Sequence, residues 1–266
     1  MRCRSPKRPR LAIPYPARAA TALAAGLLIA NLVGCRTVTA EAIEIPFAPE
    51  PRPAALETSV KPGINASFLD PQLDVEEYLE RFEIESREVF SQRHAISDSL
   101  GMKPGQRVAD VGSGTGLYLE FLSAAVGPEG RVFAVEISEP FVEHLGQRIR
   151  SLGLRNVQTH LSSERSIDLP PGSIDFAYIC DTYHHFEYPR SVMGSIHKAL
   201  SPGGELVLID FHRIPGVSSD WILGHVRANQ VQVIAELNRF GFDLIGELEG
   251  PDLTENYGLR FAKRSE

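Results

Sequence analysis

The chain has 266 residues, 43% of them apolar and 23% charged, with 22 Gly and 19 Pro. That length allows one domain of ordinary to large size plus a tail, and the composition excludes fibrous and wholly disordered classes. A formal charge of −7, from 34 acidic and 27 basic side chains, gives no bulk basic footprint of the kind that nucleic-acid binding needs.

The charge is segregated. Residues 1–40 carry seven basic side chains, Arg2, Arg4, Lys7, Arg8, Arg10, Arg18 and Arg36, ahead of the first acid, Glu41. A basic front, an apolar stretch from Ala19 to Val33 and a small-residue junction read as a secretory signal over residues 1–34. The apolar run is shorter than the roughly 20 residues that cross a bilayer as a stable helix, so no permanent span is expected. Leu32-Val33-Gly34-Cys35 resembles the lipobox of bacterial lipoproteins. That resemblance implies cleavage before Cys35, acylation of its sulfur and amine, and a membrane-anchored lipoprotein of the cell envelope; an unused signal would leave the protein cytoplasmic. Cleavage would remove six basic side chains and no acid, leaving 21 basic against 34 acidic groups, a net of −13. Only Cys35 and Cys180 would remain, and lipidation of the first leaves no pair for a disulfide.

Residues 35–70 show no lasting hydrophobic period and hold prolines at 46, 49, 51, 53 and 62, which reads as an extended tether or a leader without a role. Helical patterning over 71–106 begins with Asp74 as candidate N-cap, Glu77 as its capping-box partner, and Val75, Leu79 and Phe82 on one face. From Arg107 the chain alternates: strands at Arg107 to Val111, Arg131 to Glu136, Val157 to Leu161, Ile174 to Cys180 and Glu205 to Phe211. Helices lie between them at Leu117 to Val126, Glu139 to Leu152 and Pro189 to Leu200. A helix from about Ser219 to Phe240 and strands at Leu244 to Glu249 and Tyr257 to Lys263 close a domain over 107–266. Such alternation predicts an α/β fold with a mostly parallel sheet of seven strands and helices on both faces.

The first strand ends in Asp110-Val111-Gly112-Ser113-Gly114-Thr115-Gly116. Ligands of open parallel sheets sit at the carboxyl ends of the strands, and glycines there let backbone approach them closely. Dinucleotide sites want G-x-G-x-x-G, but the third glycine falls one residue early, which disfavours a nicotinamide-dependent oxidoreductase. The turn resembles motif I of the class I S-adenosylmethionine-dependent methyltransferases, acid-x-G-x-G-x-G. Lys198-Ala199-Leu200-Ser201-Pro202-Gly203-Gly204 resembles that family's approach to its fifth strand. The resemblance implies a Rossmann-like sheet with an antiparallel last strand and S-adenosylmethionine as cofactor. Asp110 would help hold the cationic amino end, Gly112, Gly114 and Gly116 would form the turn around it, and Glu136, with Ile137 beside it, would take the ribose hydroxyls. Ser163 and Glu164 stand where the family recognises adenine, in place of its usual Gly-Asp-Ala, and which of them faces the base is open. Asp181 would border both the methionine part and the acceptor. Asp181-Thr182-Tyr183-His184-His185-Phe186-Glu187 and Asp210-Phe211-His212-Arg213 look like one branch of the methyltransferase 11 and 25 sequence groups.

Methyl transfer from a sulfonium needs alignment, and a base only when the acceptor holds a proton. His184 and His185 are candidates for that base, against the alternative that each packs or bonds backbone. His212 and His225 add to the histidine count, but no CxxC or HExxH spacing is present, so no metal is expected. Cys180, inside an apolar strand, reads as core, while Trp221, His225 and Arg227 could line an acceptor pocket. The acceptor expected is a small or lipid-like molecule; a tethered cofactor-binding module without catalysis is the alternative.

Overall fold

The computed structural model describes residues 57–265. The signal reading of 1–34, and the tether reading as far as residue 56, lie outside the described residues. The rest of the expected tether, 57–70, is folded onto the domain. The Glu57 carboxylate accepts from the amides of Arg190 and Ser191 at 2.8 and 2.7 Å, the Val60 amide donates to the Glu187 carbonyl at 2.9 Å, and Asn65 is buried. Proline content made this strap look extended; side-chain hydrogen bonds to the distant segment 185–191 hold it down.

Three short helices follow, α1 (Val75–Phe82), α2 (Glu88–Ser91) and α3 (Arg93–Ser99). Asp74 caps α1 by accepting from the Glu76 amide. The alternating region holds β1 (Arg107–Val111), α4 (Leu119–Val126), β2 (Arg131–Glu136), α5 (Glu139–Ser151), β3 (Val157–Leu161) and β4 (Ile174–Cys180). After a short 3-10 turn, Tyr183–His185, come α6 (Pro189–Ala199), β5 (Leu200–Phe211), α7 (Asp220–His225), α8 (Gln230–Arg239), β6 (Phe242–Glu247) and β7 (Asn256–Lys263). One helix was expected over 219–240, and two form. The Asn229 side chain accepts from the Gln232 amide and Gln232 reciprocates, which starts α8 afresh after the buried Val226 and Ala228.

The sheet order is β3-β2-β1-β4-β5-β7-β6, parallel from β3 to β5, with β7 antiparallel to both of its neighbours. This is the Rossmann-like, seven-stranded, mostly parallel sheet expected. Side chains alternate across it. Ala109, Val111, Ala177, Ile179, Leu206 and Leu208 meet Met193 and Ile196 of α6 and Leu237 of α8 on one face. Val108, Val132, Ala134, Phe176, Tyr178 and Val207 meet Ile96, Leu122 and Leu145 on the other. Consecutive crossovers diverge at the β1/β4 pair, so the turns after these strands part and leave a crevice at their carboxyl ends.

At the opposite end of that pair, Arg107 clamps Asp175 through Nε at 3.0 Å and Nη2 at 2.6 Å. The Arg107 hydrogen bonds hold the Asp175 carboxyl down at about 2. A depressed acid adds stability above its unfolded value that is lost as pH falls through the folded one. Asp175→Asn should therefore lower stability by about 1 kcal/mol at pH 7, a half-exposed pair being discounted for screening. In urea melts the difference from wild type should shrink between pH 4 and pH 2.

Candidate functional site

The turn between β1 and α4 is folded by contact on both sides. The amides of Gly112 and Ser113 donate to the Val135 carbonyl at 2.8 and 3.1 Å, tying the turn to β2. Gly112 has φ of +76°, and a Cβ there would lie 2.3 Å from Thr182 Cγ2, so only glycine lets the turns after β1 and β4 touch. At Gly114 the nearest atom to a Cβ is in the Phe82 ring, 3.9 Å away, and the residue lines the crevice. Gly116 does not. Its Cβ would meet Leu145 of α5 at 2.8 Å and Leu119 of α4 at 3.0 Å, so the third glycine of the motif is required by helix packing and is not among the residues that line the cavity.

The crevice opens into a cavity of about 490 Å³, within the range that takes a small organic ligand. One end is acidic. Asp110 is the next-to-last residue of β1 and Glu136 the last of β2; both are buried, and among the described residues neither forms an ion pair. Burial pushes the Asp110 carboxyl up to about 7, with Ser113 pulling it down and the Glu136 charge adding to the rise. Burial raises Glu136 also, against the pull of three backbone amides. Its Oε1 accepts from Ile137 and Ser138 at 2.8 and 3.1 Å and its Oε2 from Gly114 at 2.9 Å. Three of about four acceptor sites are thus used, so taking both hydroxyls of a diol would require the Gly114 amide to yield. Ile137, Ser163 and Glu164 line the same end, with Glu164 held by Asn65 Nδ2 at 3.2 Å. Asp181, at φ of +47°, also lines the cavity. Each of its oxygens has a protein partner, Arg87 Nη2 and, at 2.6 Å, Asn256 Nδ2, while burial lifts its carboxyl to about 6 against the nearby Arg87 charge.

The other end holds three imidazoles. His184 is buried, its Nδ1 2.7 Å from Asp210 Oδ1, and the same carboxylate accepts from the amides of His184 and Phe211. His185 Nε2 and His225 Nε2 stand 3.2 Å apart, and the ring centroids of His184 and His185 lie 4.5 Å apart. Burial pushes His185 down to about 2, helped by the other two histidines, and His225 down to about 4 for the same first reason. A ring so hard to protonate is a poor proton acceptor, which weakens the expectation of a general base at His185 itself. Trp221 stacks on His225 at 4.6 Å, and Phe68 of the strap meets His185 edge-on at 5.1 Å.

Sequence reasoning missed the roof of the cavity, Asn65, Phe68, Tyr78 and Phe82, because residues before β1 carry no motif. The mutual aromatic contacts of Phe68, Tyr78, Phe82 and Phe141, at 5.3 to 5.5 Å for the Tyr78 pairs, are legible only in three dimensions. Trp221 and His225 line the cavity as expected; Arg227 instead makes two 2.9 Å bonds to Glu236 beneath Tyr183. Cys180 borders the cavity, and burial raises its thiol well above the usual range, so it stays protonated. His212 meets the Tyr257 ring at a tilt, 5.3 Å between centroids, and is not among the residues that line the cavity.

Residues 109–206 match the family model described as a methyltransferase domain. Over 118 residues the chain is 32% identical to an uncharacterized 37.1 kDa protein of a Streptomyces fradiae transposon, covering 44% of this chain and 34% of that one. It is 27% identical over 118 residues to the demethylmenaquinone methyltransferase of Geobacillus kaustophilus, 44% of this chain and 50% of that one. The chain thus spans a third to a half of the length of these curated relatives. Among solved structures, a SAM-dependent methyltransferase from Aquifex aeolicus superimposes with a TM-score of 0.63 at 25% identity, over 72% of this chain and all of that one.

The two glycines with different neighbours should respond differently to a methyl group. Gly116→Ala adds overpacking against Leu145 to the left-handed backbone cost, about 3 kcal/mol together, whereas Gly114→Ala incurs chiefly the backbone cost, about 1 kcal/mol. Urea unfolding of the two variants measures the gap; equal losses would contradict a packing role for Gly116.

Proposed function

We propose that this chain, whose domain is that of an S-adenosylmethionine-dependent methyltransferase with S-adenosylmethionine as its cofactor, transfers the methyl group to a small, apolar ring compound bearing a hydroxyl. The observation that carries the reading is the pair of buried carboxylates, Asp110 and Glu136, that form no ion pair among the described residues. Two acids at adjacent strand ends, beside a glycine turn that opens on the cavity, suit a ligand with a positive charge and a diol. When bound, the cofactor supplies an electrophilic methyl on a sulfur that leaves as a neutral thioether. Asp110 holds the cationic end, and Glu136 with the amides around it orients the sugar. Ser163 and Glu164 border the base.

The acceptor half is built for a flat ring, walled by Phe68, Phe141, Phe211 and Trp221, and a curated relative named as a demethylmenaquinone methyltransferase supports a quinol-type acceptor. The hydroxyl gives up its proton at the imidazole end of the cavity, where Asp210 orients His184. Electron density then rises on the adjacent ring carbon. A cofactor held at the acidic end would supply its methyl to that carbon, and the ring proton displaced there would restore the hydroxyl, so that one proton in all is released to solvent. The apolar walls keep water out of this step.

Binding of a cation to Asp110 expels the proton that burial keeps on it near neutral pH. Cofactor affinity should therefore fall about tenfold for each pH unit below 7 and level off above 8. Calorimetric titration of wild type and Asp110→Asn between pH 6 and 8.5 tests this: the variant should bind weakly at every pH. Transfer of tritiated methyl to quinol-type phenols tests the reaction, and a protein that binds cofactor yet labels no acceptor would be a binding module instead.

We also propose, on the sequence of residues 1–35 alone, that the domain is anchored to the envelope membrane through a lipidated Cys35. Labelled fatty acid should enter the wild type and not Cys35→Ser when both are made in a bacterial host; equal labelling would refute it.

A further inference from the structure

We propose that His184, His185 and His225 form a binding site for one divalent transition-metal ion of the zinc class, with its open coordination position facing the acceptor half of the cavity. The three residues come from two separate segments, the turn after β4 and the end of α7, and one ring nitrogen from each lies within 4.8 Å of the others. The 3.2 Å between Nε2 of His185 and Nε2 of His225 is close to the roughly 3.3 Å that separates two nitrogens on a tetrahedral ion with 2.0–2.1 Å bonds. Two imidazoles facing each other nitrogen to nitrogen need a shared proton or a shared cation between them.

The third histidine has the support that metal-binding imidazoles have. Asp210 fixes His184 through Nδ1 at 2.7 Å, which leaves Nε2 as the ring nitrogen free to bind, and a carboxylate behind a ligating imidazole both sets its tautomer and raises its basicity. Asp210 is in turn held by the amides of His184 and Phe211. Trp221 stacked on His225, and the strap residue Phe68 edge-on to His185, limit the freedom of the other two rings. Lys61, the cation of the strap at this end, has its ammonium bound to the carbonyls of Gly224 and His225, and its charge bears on His185 and His225. Three neutral nitrogens and no carboxylate ligand suit a borderline ion such as zinc over magnesium or calcium.

Three protein ligands leave a fourth position, as at catalytic rather than structural zinc sites. His184, His185 and His225 line the cavity together with Phe211 and Trp221, so a fourth position open to it would take an oxygen or sulfur donor of the bound acceptor and ease loss of its proton. Only the identity of this fourth ligand rests on the methyl-transfer reading; the three nitrogens hold the ion whether or not transfer occurs.

The test uses the full-length protein, stripped with a chelator and titrated with Co(II) in the absence of cofactor. One equivalent should bind with the intense visible absorption of four- or five-coordinate cobalt and be displaced by Zn(II). His225→Ala should weaken binding at least 100-fold, Asp210→Asn about 10- to 100-fold with a shifted spectrum, and His212→Ala should match wild type. Circular dichroism and retained S-adenosylmethionine binding in His225→Ala show that the fold and the acidic end are intact. Absence of stoichiometric cobalt in the wild type, or equal affinity in His225→Ala, overturns the site. Cofactor binding without cobalt binding would sink the metal alone, and cobalt binding without methyl transfer would sink the transferase reading alone.

Discussion

Parallel pairing of β1 on both of its edges is the constraint on which the site depends. With β2 on one side and β4 on the other, the three strands end together, and their crossovers must leave in opposite directions. Acidic residues at the ends of β1 and β2 are thereby driven into the same crevice, although 26 positions separate them in the chain. Burial of two acids without a counter-charge is costly unless a ligand supplies one or a proton remains bound. The tight contact of Gly112 with Thr182 keeps the crevice closed behind them, and the clamp between Arg107 and Asp175 fixes the strand pair at its other end.

Polarity then divides the cavity. Carboxylates and backbone amides crowd one end, while aromatic rings and three histidines, two of them (His185 and His225) pushed down by burial, occupy the other. The first end suits a charged ligand and the second a flat apolar one.

Much of this was legible in the chain. The strand bounds of β1 to β4 follow from short apolar runs between turn residues, and the acid and glycine spacing after β1 marks a turn that lines the cavity. Other features depend on packing that periodicity does not encode. Gly116 looks the same in the sequence as Gly114, but only the folded contact with Leu145 separates their duties. The break before Asn229 is hidden because apolar spacing runs through it, while a reciprocal cap decides the start of the next helix. His225 lies 40 residues from His185, and no local spacing signals their approach. Prolines made residues 57–70 read as a spacer, whereas Glu57, Asn65 and Phe68 each found a partner more than 70 positions away.

That strap has a kinetic consequence. It is fastened over the histidine end mainly by side-chain bonds, from Glu57 to the start of α6, Lys61 to the end of α7 and Asn65 to the His185 carbonyl, and joins no strand of the sheet. Its release breaks a handful of such bonds and leaves the strand pairing untouched. Local opening at this end therefore has a barrier independent of global unfolding. The dwell time of an occupant of the ring-lined half would then depend on how firmly the strap is fastened, a property separate from the pairing of the sheet.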